Sequence, residues 1–592
     1  MAAVQPDKAK HMRAPKWDEL SSAGRDKRAA IFAATVCLHG ISKCQAARCP
    51  FSHADHQPSV DRIHSMNQHL PRHLQRAQRY FDDGQLVAAC ATLEAHLRRT
   101  PDDADSLSLL LHAWLKRGRM RPAVELAQRL AALPARDAQA ALRTATDLMR
   151  VGDFSRARAL LDTPLVQDSR DSAVLFRHAQ LRARAGEYQQ VLALTELAAQ
   201  LSATPDTNLL LLRARARDYC GDADGAGADY SAAQHQRPDS GSAAQGLARV
   251  HASQRDADAA TAHIAHLHSV LPSVTDADTE AALAYALFEE LHTLQQYQQA
   301  WPALQRGAAA AHRQWPYDAA REATRIDALL RTQPGTAATA VPQSAPAGTA
   351  TPIFIVGLPR SGTSLLETLL GRHTQVSAAG EHADFAYQLG LATDCDSVEL
   401  LPMTAIERSA DIDYHALGQA YLEHTRWRAR GRSHYTDKLP SNWMLIAHIA
   451  RALPQARIVH VARAPMDAAF AVLRQLLGAA YPWSFAQQDI VAHYGHYRAL
   501  MSHWQRVLPG RLLQVDYAEF ADAERLLRRV CAFCALPFEA QCLDARLDIG
   551  VVATPSSLQV RDAIRPRVGA WQAYREHLDV LHDGLAGWHA PA

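Results

Sequence analysis

The sequence lacks the features that mark membrane, secreted and nucleic-acid-binding proteins. No apolar run among its 592 residues approaches the ~18 that a membrane-spanning helix needs, and the N-terminal stretch has no hydrophobic core for a signal peptide. Nine cysteines in this length do not suggest a disulfide framework. The net charge of +2 gives no basic field that would argue for nucleic acid. We therefore expect a cytoplasmic protein that binds neither membrane nor nucleic acid.

The composition is that of an ordinary globular protein, with 48% apolar and 21% charged residues. Length alone predicts roughly three or four domains.

Five glycines recur at the period of a tetratricopeptide repeat between residues 69 and 331. They are spaced by 34, 34, 34 and 35 residues, and each lies between two amphipathic runs: Gly84, Gly118, Gly152, Gly186 and Gly221. Such a position fits the tight turn between two helices, where positive φ or close helix approach excludes a side chain. A sixth unit follows with Arg255 at the turn, and a seventh, longer unit closes the array. The pattern predicts an all-α tetratricopeptide solenoid.

The concave face of such a solenoid forms an extended groove for peptides. The sequence leaves two interpretations open. The array binds a peptide or protein substrate, or it mediates only self-association or scaffolding.

Residues 1–60 are polar and irregular, apart from one cluster of Cys37, Cys44, Cys49 and His53. Three thiols and one imidazole suffice for a tetrahedral structural zinc site. The ending Cys-Pro-Phe-Ser-His resembles CCCH zinc fingers, although the first two gaps are one residue shorter than is commonest there. Fingers of this kind often stack single-stranded RNA on aromatic side chains, for which only Phe51 is available here. Zinc binding and a coincidental cluster are both open, and RNA binding is disfavoured.

Residues 332–351 are rich in Pro, Ala, Thr and Gly and nearly free of charge, which predicts a flexible linker. Residues 352–592 should therefore form a separate catalytic domain.

A phosphate-binding loop opens this second region. Residues 353–356 form a short apolar run that predicts a buried strand, and leucines at helical spacing follow the loop. A strand, a glycine-bounded turn and a helix N-terminus together make a cradle for an anion. The Walker pattern requires Lys after the second glycine, whereas here Thr363 follows Gly362 and the cation lies inside the loop, at Arg360.

This Pro-Arg-Ser-Gly-Thr stretch resembles the 5′-phosphosulfate-binding loop of sulfotransferases. Its form is similar to that of protein-tyrosine sulfotransferases and of bacterial sulfotransferases that carry tetratricopeptide repeats. The resemblance implies a P-loop-like α/β domain with a central parallel sheet, and 3′-phosphoadenosine-5′-phosphosulfate as the co-substrate. The loop residues that it implies as contacts to this co-substrate are Pro359, Arg360, Ser361, Gly362, Thr363 and Ser364.

The same resemblance assigns roles to four residues further along the chain. Glu381 would be the general base that takes the proton of an acceptor hydroxyl, and Lys438 would contact the transferring sulfuryl group. Arg463 follows a predicted strand at residues 458–462 and would bind the 3′-phosphate, because ligands of open α/β sheets lie at the carboxyl ends of strands. Tyr517 would lie near the adenine.

A Ser-x-x-Gln-Val-Arg element follows, and in the family it returns over the co-substrate. Its candidate contacts here are Ser556, Ser557, Gln559 and Arg561, and Ser557 is also a candidate for stabilising the transferred group. Three positions depart from the family: Ala464, Ala471 and Ala570 stand where relatives carry Asp, Ser and a basic residue. We expect these changes to weaken binding of the co-substrate without abolishing it, since a bidentate Arg contributes more than a neutral hydroxyl.

Two further sets of residues have ordinary structural interpretations. His460 lies inside a predicted strand and is expected in the core, and Cys531 and Cys534 lie in an apolar helical run as buried thiols.

The sequence thus favours a sulfotransferase acting on a hydroxyl, with a peptide tyrosine as one acceptor and carbohydrate, lipid or small phenol left open. One alternative is a repeat scaffold whose catalytic domain has degenerated. The other is a small-molecule kinase with an aberrant loop, against which the missing Lys argues.

Overall fold

The computed structural model describes residues 71–202, 204–332, 348–396, 400–544, 551–553 and 568–588. Most of the predicted linker lies outside these ranges. Eight predicted site residues also lie outside them: Cys37, Cys44, Cys49, His53, Ser556, Ser557, Gln559 and Arg561.

The first half of the described chain is entirely helical, and its helices form seven consecutive antiparallel pairs with two additional helices, α7 and α16. The helices are α1 (Arg72–Asp82), α2 (Leu86–Leu97), α3 (Ala104–Lys116), α4 (Met120–Ala132), α5 (Ala138–Arg150), α6 (Phe154–Leu161), α7 (Pro164–Gln167), α8 (Ser172–Arg184), α9 (Tyr188–Gln200), α10 (Thr207–Cys220), α11 (Ala223–Gln236), α12 (Gly241–Gln254), α13 (Ala257–Val270), α14 (Ala277–Thr293), α15 (Tyr297–Gln314) and α16 (Ala319–Arg331).

The turn inside each pair confirms the predicted repeat. In every pair one turn residue has positive φ, between 57° and 93°: Gly84, Gly118, Gly152, Gly186, Gly221, Arg255 and Gln295. A Cβ on Gly186 would meet nothing within 4 Å, so its backbone conformation alone favours glycine. A Cβ on Gly152 would lie 2.5 Å from Cγ of Tyr387, in the second half of the chain. Both of the predicted reasons for glycine therefore apply at that turn.

The second half is built on a five-stranded, wholly parallel sheet in the order β2-β3-β1-β4-β5. Its strands are β1 (Thr351–Gly357), β2 (Val376–Ser377), β3 (His434–Asp437), β4 (Arg457–Ala462) and β5 (Leu512–Asp516). Strand β1 is central and buried along its whole length, as expected of a parallel sheet covered on both faces. The predicted class, a helical solenoid followed by a parallel α/β domain, is confirmed.

Helices cover both faces of this sheet. They are α17 (Thr363–Gly371), α18 (Asp384–Thr393), α19 (Met403–Arg408), α20 (Tyr414–Thr425), α21 (Ile446–Ala452), α22 (Pro465–Leu473), α23 (Gln487–Val507), α24 (Ala523–Phe533) and α25 (Asp579–Leu585). Short 3-10 helices join them, including Pro440–Leu445, Tyr517–Asp522 and Ala540–Leu543. Within the described ranges, none of the helices is long and apolar enough to cross a bilayer.

One hydrophobic core runs from the sixth and seventh repeats into the sheet domain. Tyr285 of α14 is buried and donates a hydrogen bond to the carbonyl of Leu473 at 3.0 Å. The Trp301 ring of α15 stacks on His577, with 4.7 Å between the ring centroids. The predicted linker therefore separates two parts of the sequence whose apolar side chains share one interior.

A second contact joins the sheet domain to the N-terminal repeats. Asp394, just after α18, accepts a hydrogen bond from the Arg121 amide at 2.9 Å and another from Arg119 Nε at 2.5 Å. Burial would raise the pKa of Asp394, but these hydrogen bonds and the Arg119 charge lower it below its usual value. The carboxylate caps the N-terminus of α4, which has no side-chain cap of its own.

Candidate active site

Each of the five strands is followed, within four residues, by one residue predicted for the site. Arg360, Glu381, Lys438, Arg463 and Tyr517 follow β1, β2, β3, β4 and β5 respectively. Because all five strands are parallel, their carboxyl ends meet at one edge of the sheet, where open α/β folds bind ligands. The structure therefore brings these five predicted residues to the same edge.

The loop after β1 has the backbone of an anion cradle. Arg360 and Gly362 have positive φ values of 67° and 107°, and α17 begins at the next residue, Thr363. The first N–H groups of a helix have no partner within it, so they are available to an anion. The Ser361 hydroxyl is buried and has no hydrogen-bond partner within the described ranges. This buried donor and the cradle fit the phosphosulfate group that the sequence resemblance implies.

The remaining loop residues frame this cradle. Pro359 and Thr363 are buried, and Ser364 is half-buried on the first turn of α17. A Cβ on Gly362 would lie 2.6 Å from Cδ2 of Tyr517, so only glycine lets the Tyr517 ring approach the loop this closely.

Three arginines gather beside the loop. Arg463 Nη1 donates to the Arg360 carbonyl at 2.9 Å, and its guanidinium lies 4.4 Å from the centroid of the Tyr517 ring. Burial, together with the positive charges of Arg474 and Arg463, lowers the pKa of Arg360 to about 10. Mutual repulsion of this kind is relieved when an anion binds among the cations.

Arg474 is a member of this cluster that the sequence did not indicate. It follows the last residue of α22, and its guanidinium lies 2.9 Å from Glu289 Oε2 and 3.0 Å from His292 Nε2, both on α14 of the seventh repeat. Burial would raise the pKa of Glu289, but Arg474 and other nearby cations, Arg360 among them, lower it. The solenoid thus contributes a carboxylate to the surroundings of the loop. No sequence motif identifies Arg474 or Glu289. The one signal that could have pointed to the site is the position of Arg474, directly after the helix that follows β4.

The predicted base and the predicted lysine form an ion pair. Lys438 Nζ lies 2.7 Å from Glu381 Oε1 and 3.7 Å from Glu367 Oε2, and the lysine side chain is fully buried. Glu367 Oε1 also accepts from the Gly380 amide at 2.9 Å and from the Thr436 hydroxyl at 2.6 Å. Glu367, on α17 and missed in the sequence, therefore connects the loop helix to both predicted catalytic residues.

A buried polar network supports the strand that ends at Lys438. Asp437 accepts hydrogen bonds from Tyr421 at 2.8 Å and from Asn442 at 3.0 Å. His382 Nδ1, next to Glu381 in sequence, lies 2.7 Å from Asp384 Oδ2. The hydrogen bonds to the buried Asp437 hold the adjacent backbone of β3 in one position.

The three departures from the family pattern lie close to one another in the fold. Ala464 directly precedes α22, Ala471 lies on it, and Ala570 begins a 3-10 helix that contacts α22. Asp467 of α22 accepts a hydrogen bond from the Gly569 amide at 2.7 Å, which joins the two segments. Arg474 directly follows the same helix and brings a positive charge to this side of the site.

The residues expected in the core are there. His460 is fully buried with its Nε2 against the Tyr497 hydroxyl, and burial lowers its pKa to about 4. Cys531 and Cys534 are buried, and burial raises the pKa of the Cys534 thiol to about 12. None of these side chains is suited to catalysis at neutral pH.

The fold is a helical repeat solenoid joined to a parallel-sheet domain whose first loop could hold an anion. Residues 352–540, within the sheet domain, match the family described as the sulfotransferase family. The chain thus has a tetratricopeptide-repeat sulfotransferase arrangement.

The chain is also similar to individual proteins. This chain is 30% identical to an uncharacterized protein of Aquifex aeolicus (strain VF5) over 247 residues. The aligned stretch is 40% of this chain and spans 32% of that relative's length. Sulfotransferase STF9 from Mycobacterium avium is 12% identical, with a TM-score of 0.25, over 54% of this chain and 94% of its own. A tetratricopeptide repeat protein from Parabacteroides merdae ATCC 43184 is 14% identical, with a TM-score of 0.31, over 40% of this chain and 91% of its own.

Proposed function

We propose that the sheet domain transfers a sulfuryl group from 3′-phosphoadenosine-5′-phosphosulfate to an acceptor hydroxyl. The observation that carries this proposal is the cluster of Arg360, Arg463 and Arg474 beside a loop with a buried Ser361 hydroxyl. A donor that carries two phosphate groups would supply the negative charge that such a cluster favours. The match to the sulfotransferase family supports the same function.

The donor would bind across the carboxyl ends of β1, β4 and β5. Backbone amides of residues 361–363, with the Arg360 and Ser361 side chains, would hold the 5′-phosphate, and Pro359 and Ser364 would flank it. Arg463 would bind the 3′-phosphate, and Tyr517, held against the loop and the Arg463 guanidinium, would stack near the adenine. We assign to Arg474 part of the phosphate contact that Ala464, Ala471 and Ala570 no longer provide.

When bound, the donor supplies an activated sulfuryl group, and the chain's own residues position it and stabilise charge. Glu381, which is paired with Lys438, would take the proton of the acceptor hydroxyl. Lys438 would stabilise the charge that develops on the leaving phosphate. Glu367, 3.7 Å from Lys438, compensates the buried lysine when Glu381 turns toward the acceptor. As in phosphoryl transfer, positioning and electrostatics do most of the catalysis.

We propose a tyrosine in a peptide as the acceptor to test first. A tetratricopeptide solenoid offers an extended peptide-binding surface, and its seventh repeat brings Glu289 to the site through Arg474. A peptide bound along the repeats would thus reach the sheet edge. Carbohydrate, lipid and small phenols are the competing acceptors. Ser556, Ser557, Gln559 and Arg561, which lie outside the described residues, are proposed as further contacts to the donor.

A degenerate scaffold is the alternative function, for which the three alanines on one side of the site argue, but the match to the sulfotransferase family does not favour it. The kinase alternative is disfavoured by the family match and by the missing lysine after Gly362.

Calorimetric titration with adenosine 3′,5′-bisphosphate tests the donor site. We expect micromolar or tighter binding that Arg360→Ala removes. Arg528→Ala is the matched control, because it deletes one exposed guanidinium of the same domain, 58% accessible, and should leave the affinity unchanged. A folded wild-type protein that does not bind would refute the sulfotransferase function and favour the scaffold.

Turnover assays of Glu381→Gln test the base. A positioned general base contributes about 10²–10⁴-fold, so we expect a loss of that order in kcat with bisphosphate affinity retained. Glu367→Gln is the control, since it also removes a carboxylate charge near Lys438 but keeps the oxygen that accepts from the Gly380 amide. Equal losses in both variants would show that Glu381 acts only by neutralising the lysine.

A further inference from the structure

The sixth and seventh repeats bring two histidines and a glutamate together in the solenoid. They are His251 of α12, His263 of α13 and Glu290 of α14. Nδ1 of His251 lies 2.8 Å from Glu290 Oε1, and Nδ1 of His263 lies 2.6 Å from the same oxygen. The three groups can each direct one ligand atom to a common point, with all three atoms within 4.8 Å of one another. Imidazole nitrogen and carboxylate oxygen are ligands that Zn²⁺ prefers.

The charge balance of this cluster calls for a cation. Glu290 is fully buried, and its second oxygen, Oε2, has no hydrogen-bond partner within the part of the chain that the structure describes. In the same part of the chain, its ion-pair partners are the two histidines, with neither lysine nor arginine among them. A buried carboxylate with one bare oxygen is costly unless a positive charge compensates it. A metal ion held by the three groups would supply that charge.

The surroundings of His263 suit a metal ligand. Its other ring nitrogen, Nε2, lies 3.1 Å from the side-chain amide of Gln234, on α11. A glutamine amide can present its oxygen as well as its nitrogen. Turned that way, it would accept the Nε2–H of a neutral histidine whose Nδ1 binds metal, the usual outer partner of such a ligand. His251 is 12% exposed, which leaves an entry path to the cluster.

We propose that His251, His263 and Glu290 bind one Zn²⁺ ion that fastens the seventh repeat to the sixth. Three protein ligands from three helices, with Glu290 Oε2 or a water in the fourth position, complete a tetrahedral site. Glu290 directly follows Glu289, the residue that pairs with Arg474. The ion would therefore also fix the helix that presents Glu289 to the catalytic domain.

The test uses the full chain, stripped of metal and titrated with zinc chloride, with bound metal counted by mass spectrometry after dialysis. The variants are Glu290→Gln, which keeps the side-chain shape, and His251→Ala, which removes a partly exposed ligand. The matched control is His268→Ala, an exposed histidine on α13. Because the N-terminal cysteine cluster is also a candidate for zinc, the result is the difference between each variant and wild type.

We expect each ligand variant to lose one equivalent of bound zinc, and His268→Ala to lose none. Cobalt substitution gives a second readout. The site should show visible absorption bands that disappear in Glu290→Gln, whereas thiolate-to-cobalt bands from a cysteine site would persist in it. Zinc should also raise the midpoint of thermal unfolding in wild type by more than in the variant.

Equal zinc content in wild type, Glu290→Gln and His251→Ala would overturn the proposal. The same holds if zinc binds only weakly and equally to all variants, as an adventitious ion. If Glu290→Gln does not fold, His251→Ala decides between these outcomes, since its site is at the edge of the cluster.

Discussion

Alanine substitutions at two turn glycines of the solenoid can distinguish the cost of backbone strain from the cost of disturbed packing between the two halves of the chain. Gly152 and Gly186 have nearly the same φ, 82° and 79°. A Cβ on Gly186 would meet nothing within 4 Å, whereas on Gly152 it would lie 2.5 Å from the ring of Tyr387. Tyr387 belongs to α18 of the sheet domain and is buried. Alanine at Gly186 therefore tests conformation alone, and alanine at Gly152 tests conformation plus the contact.

The structure sets the size of each effect. A left-handed conformation costs an L-residue ~1–2 kcal/mol, so Gly186→Ala should lower the free energy of unfolding by about that amount. Overpacking a buried contact adds about 1–3 kcal/mol. Gly152→Ala should therefore lower the free energy of unfolding by more than Gly186→Ala does, because the Tyr387 ring or the whole of α18 must move to make room.

Urea denaturation of the full chain measures the loss, and amide hydrogen exchange locates it. Protection of α18 should fall in Gly152→Ala and remain unchanged in Gly186→Ala. In a Tyr387→Ala background the two glycine substitutions should cost the same, as expected when the coupled partner has been removed. Equal losses from the two glycine substitutions in the native background, with α18 protection unchanged, would refute the reasoning.

Three further predictions concern the site, acid stability and the interface. Arg474→Ala should weaken adenosine 3′,5′-bisphosphate binding about tenfold or more in calorimetric titration, because hydrogen bonds to charged groups contribute ~1.5–3 kcal/mol. Burial, together with a nearby arginine, lowers the pKa of His448 to about 4 from an ordinary 6.5. The unfolded chain therefore binds a proton at His448 more tightly than the folded chain does. The contribution of neutral His448 to the free energy of unfolding is then present above pH 6.5 and is lost as the pH falls toward 4. His448→Gln should flatten the decline of the urea midpoint over that range, and the exposed His415→Gln should not. Asp394→Ala should cost ~1 kcal/mol through the lost helix cap and speed amide exchange in α4, whereas Arg119→Ala should cost less, since partly exposed ion pairs contribute ~0–1 kcal/mol.

Local pattern was sufficient to predict the repeats and the positions of five site residues. Glycine spacing identified the solenoid because positive φ at a turn restricts the residue type. The loop was recognisable because strand, glycine turn and helix are contiguous in sequence. Arg463 could be placed because residues that follow buried strands meet at one edge of a parallel sheet, whereas Tyr517 was placed by the family resemblance.

The residues that were missed act across long separations in sequence. Arg474 pairs with Glu289, and Glu367 reaches Lys438 from a helix that reads as an ordinary amphipathic segment. A single charged residue at the end or on the face of a helix is common, and nothing nearby distinguishes one that points into a site. Such partners become visible only when tertiary packing brings the helices together.

The core shared by the last repeats and the sheet domain has a consequence for how the array ends. A stack of repeats needs a terminal unit with a polar outer face, because the last helix pair otherwise exposes the apolar surface meant for a next neighbour. Here the sheet domain covers that surface and serves as the terminal cap, with Tyr285 and Trp301 inside the joint. A fragment that ends at residue 331 or begins at residue 352 would expose one side of the joint, and each should be prone to aggregation.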